Sequence, residues 1–214
     1  MAAITFDKER VLAAIDAVVH QTMNMDMTWD WPCGVAYFGI CEAYRATGKQ
    51  EYLDLMKARV DEYIELGLPN WTVNTCSMGH AMLTLHEVTG DEKYKKIAES
   101  KIDYLRNTAL RFGDSVLQHT VSAKNDFPEQ CWADTLFMAA FFMLRAGVAW
   151  NDASLIDDAL NQYYWHIEYI VRDIIQKVYF VSRIIHTSSR PDIPVSTQKP
   201  LLLYQWQCLQ VCKV

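Results

Sequence analysis

A helix-ending signal recurs in this 214-residue chain and restricts the folds open to it. AYRATGKQEYLD (43–54) and LHEVTGDEKYKK (85–96) each put Thr-Gly at the end of an apolar helical stretch and a Tyr after three further residues, with the copies 42 residues apart. A helix, a tight turn and a second helix cannot bury their apolar faces alone, so such units stack as hairpins into a solenoid or close into a ring. The rest of the pattern agrees. Val11, Ile15, Val18 and Val19 form one helical stripe, and Tyr52, Leu55, Met56, Val60, Tyr63 and Ile64 form another. Further helices are predicted at about 32–46, 76–88, 91–110, 128–146 and 151–170, several of them stopped by Gly48, Gly67, Gly90 or Gly147.

Charge and cysteine usage remove several function classes. The 20 basic and 26 acidic residues give a net charge of −6, and no basic block supplies the cationic footprint of a nucleic-acid partner. The most membrane-like run, Thr135 to Leu144, stops at Arg145, short of the roughly 18 to 20 apolar residues a span requires. Asp7, Lys8, Glu9 and Arg10 stand where an export signal needs apolar residues, so a cytoplasmic protein with no membrane partner is expected. Cysteines 33, 41, 76, 131, 208 and 212 form no CxxC pair and read as reduced, buried thiols. Cys76 and His80 could share a helical face, but two ligands fall short of the three or four a zinc site needs. No metal and no cofactor is expected, and the oligomeric state is left open.

Two segments interrupt the hairpins: MNMDMTWDWPCG (23–34) and RFGDSVLQHTVSAKNDFPEQ (111–130). Long connections in an otherwise tight helical array are commonly binding loops. The second leads to Asp134, a single carboxylate in an otherwise apolar helical run. Its local sequence allows two readings, a carboxylate bonded to loop backbone or a functional acid, since a buried unpaired carboxylate is costly.

TWDWPCGVA (28–36), VNTCSMGHAMLTLHEVTGDEKY (73–94) and LQHTVSAKNDFPEQCWADTLFMAAFF (117–142) together resemble the unsaturated rhamnogalacturonyl hydrolases, family 105 of the glycoside hydrolases, over about residues 10–169. The resemblance implies an all-α fold, helical hairpins of an (α/α)6 toroid, with the site at the mouth of its central cavity. It implies removal of a 4,5-unsaturated uronic acid from the non-reducing end of pectin-derived oligosaccharides, so the expected partner is an unsaturated uronyl oligosaccharide. The implied chemistry is hydration: an acid protonates C4 of the enol ether, water adds at C5, and the hemiketal opens. Asp134 matches the catalytic acid, which can give the first proton and take one back from water. Burial beside Cys131, Phe137 and Met138 is expected to outweigh the opposing helix N-terminus near Pro128 and favour the acid form.

By the same match Trp132 walls the sugar subsite, and His119 and Thr120 contact the uronate or its water; for these residues ordinary packing and loop hydrogen bonding is the alternative. Gln130 and Met138 belong to the same Gln-x-Trp-x-Asp-x-x-x-Met motif. Asn74 stands where some relatives carry a second functional Asp. An amide cannot act as the acid but can hold a hydroxyl or water, so substrate positioning is expected of it. Trp29, Trp31 and His80 are candidate cavity residues, with a structural role as the alternative.

After NQYYWHIEY (161–169) the resemblance stops, which divides the chain into a partial hydrolase domain, 1–169, and an atypical segment, 170–214. The family pattern calls for a Gly- and His-containing turn followed by Trp-Gly-Arg. This chain instead has no glycine and three prolines after residue 169, as a shifted reading frame or aberrant terminus would produce. Arg172, Arg183 and Arg190 match no family clamp for the substrate carboxylate. TSSRPDIPVSTQKP offers little to bury, so protease is expected to cut between Thr187 and Pro200. Three functions fit: a hydrating glycoside hydrolase, a non-catalytic carbohydrate-binding remnant, or a helical-repeat interaction scaffold.

Overall fold

The computed structural model describes residues 7–188. In order the elements are α1 Lys8–Met23, α2 Trp31–Thr47, α3 Gln50–Leu66, α4 Val73–Cys76, α5 Gly79–Thr89, α6 Glu92–Asn107, β1 Arg111–Phe112, β2 Val116–Leu117, a π-helical turn Leu136–Phe141, α7 Phe142–Trp150 and α8 Ala153–Ser188. The fold is all-α, as the apolar stripes predict. Among the described residues the one sheet is the short antiparallel pair of β1 and β2, with Arg111 opposite Leu117 and Phe112 opposite Val116.

The repeated signal builds the same joint twice. Thr47 Oγ1 donates to Ala43 O at 2.7 Å and accepts from Lys49 N at 3.2 Å; Thr89 Oγ1 donates to Leu85 O at 2.6 Å and accepts from Asp91 N at 3.2 Å. Gly48 and Gly90, both at φ 69°, end α2 and α5 in the left-handed conformation that side chains resist. The Tyr that follows ties the new helix to an earlier one. Tyr52 donates to Asp16 on α1, and Tyr94 donates to Asp61 on α3 at 2.6 Å. Lys49 and Lys93 pair with the same two carboxylates. Burial alone would raise the pKa of Asp61, but hydrogen bonds from Lys57, Tyr94 and Lys93 hold it down at about 2. Each hairpin is thus clasped to its predecessor, which is why the period is one hairpin long.

α5 packs against α2, α6 and α7, while α3 packs against α1 and α2. Tyr37, Met56, Met82, Leu85, Tyr94 and Phe142 fill the space between them. Two glycines set the closest approaches: a Cβ on Gly34 would lie 2.0 Å from Ser77 Oγ, and one on Gly79 would lie 2.4 Å from the Phe142 ring. An apolar groove of about 470 Å³ remains between α1 and α2, lined by Val11, Ile15, Val18, Val35 and others. Cys33, Cys41 and Cys76 are buried and unbridged; Cys208 and Cys212 lie outside the described residues.

The described residues divide into two units, the second beginning at Ile167. Within the second, Arg172 pairs with Glu168 and lies over the Tyr169 ring at 5.1 Å, while Ile167 and Ile175 are exposed.

Four element boundaries differ from the sequence reading, the first because α7 runs through Gly147 to Trp150, where Asn151 at φ 55° takes the left-handed cap expected of the glycine. The helix expected at 76–88 is α5 and starts at Gly79, because Cys76 belongs to the separate one-turn α4 before it. The helix expected at 128–146 begins only after Asp134, since residues up to 134 are held by the preceding loop, and its first turn is π-helical. The helix expected to end near residue 170 continues to Ser188. Residues 189–214, and with them nearly all of the expected protease-sensitive stretch, lie outside the described residues.

Candidate active site

The loop after β2 carries His119 and Thr120 and is fixed from four sides. Leu117 N donates to Gln162 Oε1 at 2.8 Å, Gln118 N to Leu110 O at 2.9 Å, and His119 N to Gln130 O at 2.8 Å. On its fourth side Thr120 accepts two backbone amides from α4, Val73 N on its Oγ1 at 2.9 Å and Asn74 N on its carbonyl at 3.2 Å. The one-turn α4 is itself capped at both ends. Thr72 and Thr75 form a reciprocal capping box, and Lys101 Nζ donates to Thr75 O at 2.8 Å. Lys101 is fully buried beside the Trp71 ring, 3.8 Å from its centroid, with Trp29 at 5.0 Å. Burial pushes its pKa down to about 8, against a small opposing effect of Cys76.

Trp132 lies flat on His119, centroids 4.3 Å apart and planes within 1°, and Phe127 leans on both rings. The indole N–H donates to Gln130 Oε1 at 3.2 Å. His119 Nδ1 is 3.0 Å from Thr135 Oγ1 and 3.5 Å from Asp134 Oδ1. The His119 side chain is 1% exposed and that of Asp134 is 46% exposed. Burial lowers the pKa of His119 from the ordinary histidine value, and the Asp134 carboxylate opposes that shift.

Asp134 is therefore not the buried mid-helix carboxylate the sequence suggested. It stands at the start of the helical segment, where its backbone carbonyl accepts from Phe137 N and Met138 N, both at 3.0 Å. Its backbone starts the helix while its half-exposed side chain keeps one oxygen beside His119. Asn74 is 5% exposed, and its Oδ1 is buried without a partner in the protein. An acceptor held in this state is suited to a hydroxyl or water donor.

The structure thus brings Asn74, His119, Thr120, Gln130, Trp132 and Asp134 into one connected set. Three other candidates are placed differently. Met138 is buried in the core. Trp31 is exposed at the start of α2, outside the stacked and hydrogen-bonded set. His80 is fully buried with both ring nitrogens engaged inside the protein. Its Nε2 donates to Phe137 O at 2.9 Å, and Arg145 Nη1 donates to its Nδ1 at 3.0 Å. Burial, opposed by the Phe137 carbonyl and reinforced by Arg145, pushes the pKa of His80 down to about 3. Its ring has no nitrogen left for a sugar.

His166 and Gln162 escape a reading that looks only at loops and motifs. Both are fully buried on α8, continuing the stripe of Leu155 and Ala159. Gln162 holds Leu117 N, and the carbonyl of Gln162 lies 2.8 Å from His166 Nδ1. Burial lowers the pKa of His166, and Asp134 and His119 are its ionisable neighbours. Polar residues on an otherwise apolar stripe were the available signal, the same one that singles out Asp134. Among the described residues no group of three or more His, Cys, Asp or Glu could hold a metal ion, and no helix is long and apolar enough to cross a membrane.

The sequence profile of Glycosyl Hydrolase Family 88 matches residues 6–179. The chain is 46% identical over 181 residues to the unsaturated rhamnogalacturonyl hydrolase YesR of Bacillus subtilis (strain 168), an alignment that takes in 84% of this chain and 52% of that one. The chain therefore spans about half the length of the curated relative it matches. Among solved structures it superposes on a possible member of the GH105 family from Klebsiella pneumoniae with a TM-score of 0.72 and 21% identity, covering 78% of this chain and 49% of the other. A possible GH105 member from Salmonella enterica gives a TM-score of 0.69 and 22% identity, covering 78% and 50%. These two similarities concern the fold.

Proposed function

The chain belongs to Glycosyl Hydrolase Family 88, and from that membership we propose that its site acts on an unsaturated galacturonyl group at the non-reducing end of rhamnogalacturonan oligosaccharides, by hydrating the enol ether double bond. The observation that carries this reading is the constellation of Asp134, His119 and Trp132: a half-exposed carboxyl on a fixed backbone, a buried imidazole 3.5 Å from it, and an indole stacked on that imidazole. In the proposed reaction Asp134 gives its proton to C4. Water adds at C5 and returns a proton to the same carboxylate, and the hemiketal formed opens to release the next sugar. His119, Thr120 and Gln130 fix the geometry, and Asn74 supplies an unpaired acceptor for a hydroxyl or water.

Loss of the unsaturated uronide's absorbance on incubation with the disaccharide of unsaturated galacturonate and rhamnose tests the proposal. Asp134→Asn should slow the loss at least about a hundredfold, the contribution typical of a positioned acid-base group, with an unchanged melting temperature. Undiminished turnover in the variant would assign the acid elsewhere. The exposure of Asp134 favours a second reading, a site that binds uronides without turning them over. Saturable disaccharide binding with no absorbance loss in the unsubstituted chain distinguishes it.

A further inference from the structure

His80 stands outside the contact set of the site and yet touches the backbone that aims it. The segment that starts at Asp134 opens with a π-helical turn, Leu136–Phe141, before continuing as α7. A π turn contains about one residue more than an α turn, so the chain before it is rotated by roughly 100° relative to the helix after it. α7 is locked by its buried Phe142, Met143 and Ala146. The π turn therefore decides which way Asp134 faces.

Such turns are rare single-turn departures from the α-helix that concentrate at functional sites. Here a side chain from another helix bonds to the turn. Phe137 O, inside the π turn, accepts from His80 Nε2 on α5. A carbonyl can only accept and a guanidinium can only donate, so the contacts with Phe137 and Arg145 fix one tautomer, with the proton on Nε2 and the lone pair on Nδ1. Arg145 also donates to Thr84 Oγ1 at 3.2 Å, which anchors it to α5. The rings of Phe38, Phe137 and Phe141 enclose the imidazole at 5.1, 4.7 and 5.1 Å between centroids. This enclosure keeps water from competing for the Phe137 carbonyl. A phenyl ring would fill the same box, so packing alone does not require a histidine there.

We propose that His80, held in a single tautomer by Arg145, is a positioning residue that keeps the π turn open and thereby sets the direction of Asp134 toward His119. The inference rests on the proposed function only for its importance to catalysis, because the device itself can be read without substrate. The reporter is His119, whose ionisable neighbours are Asp134 and His166. The nearby carboxylate raises the pKa of His119 against the effect of burial, so moving Asp134 away must lower it.

The full chain, labelled with ¹⁵N in its histidine rings, provides the test by NMR titration. His80→Phe should lower the pKa of His119 in the same direction as Asp134→Asn does. His80→Gln, which restores a donor to the Phe137 carbonyl, should return it most of the way. A His119 titration left unmoved by His80→Phe overturns the proposal, whatever the melting temperature does. The unsubstituted chain gives an independent check should His80→Phe fail to fold. His80 should show only its Nε2-protonated neutral form throughout the range in which His119 titrates, and an Nδ1-protonated form or an ordinary histidine titration overturns the proposal. Absence of disaccharide turnover bears on the uronide reading alone and does not change either outcome.

Discussion

A lysine without any exposed surface is rare, and Lys101 is kept by three contacts: the carbonyl of Thr75, the face of Trp71 and the ring of Trp29. Its pKa of about 8 makes the chain's stability depend on pH in a stated direction. Between that value and the ordinary lysine range near 10.5, the unfolded chain holds a proton that the folded chain has released, so this residue's contribution to stability rises as pH rises. Lys101→Met removes the dependence. Urea unfolding of both proteins at pH 6.5 and pH 10.5 should show the variant's stability relative to the unsubstituted chain falling by on the order of 3 kcal/mol across that interval. At this scale the sequence was only partly informative. Asp134, Trp132, His119 and Thr120 could be found from motif and loop position. The half-exposure of Asp134 could not, because the π turn that follows it is in contact with His80, 54 residues before Asp134 in the chain. Lys101 was also out of reach, since nothing local to it announces that it is fully buried.

Elements were more legible than side chains. The Thr-Gly-x-x-x-Tyr signal predicts both the stop and the restart of a hairpin, and the structure adds the reason for the Tyr, its bond to a carboxylate on an earlier helix. The helix expected at 128–146 failed at its start because the loop before Asp134 is committed to other partners, His119 N to Gln130 O and Glu129 N to Gln118 Oε1. Contacts across the fold outweighed local propensity there. Glycines within α2 show how far position, rather than residue type, decides stability. Gly39 faces open space, whereas Gly34 lies against Ser77, including its backbone carbonyl carbon at 2.7 Å from an added Cβ. Gly39→Ala should therefore stabilise the chain by up to about 1 kcal/mol through helix propensity. Gly34→Ala should destabilise it by about 1–3 kcal/mol or more, because backbone cannot yield as a side chain can. Thermal melts of the two variants should move in opposite directions, and equal shifts would contradict the close approach of α2 to the α4–α5 turn.

Across the whole molecule, an amphipathic stripe reports that a face is apolar but not what covers it. Val18 belongs to the first stripe and is 65% exposed, at the rim of the groove between α1 and α2. Exposed apolar surface of this kind promotes association and dye binding. Val18→Lys should reduce fluorescence of a hydrophobic dye while changing stability by no more than about 0.5 kcal/mol. A large loss of stability would place Val18 in the packed interior instead. The link between α4 and the His119 loop has a different kind of consequence. The amides of Val73 and Asn74 end on Thr120, so neither can exchange with deuterium until that loop lifts. Two segments nearly fifty residues apart then open as one cooperative unit. Whatever rate governs exposure of His119 also governs exposure of Asn74.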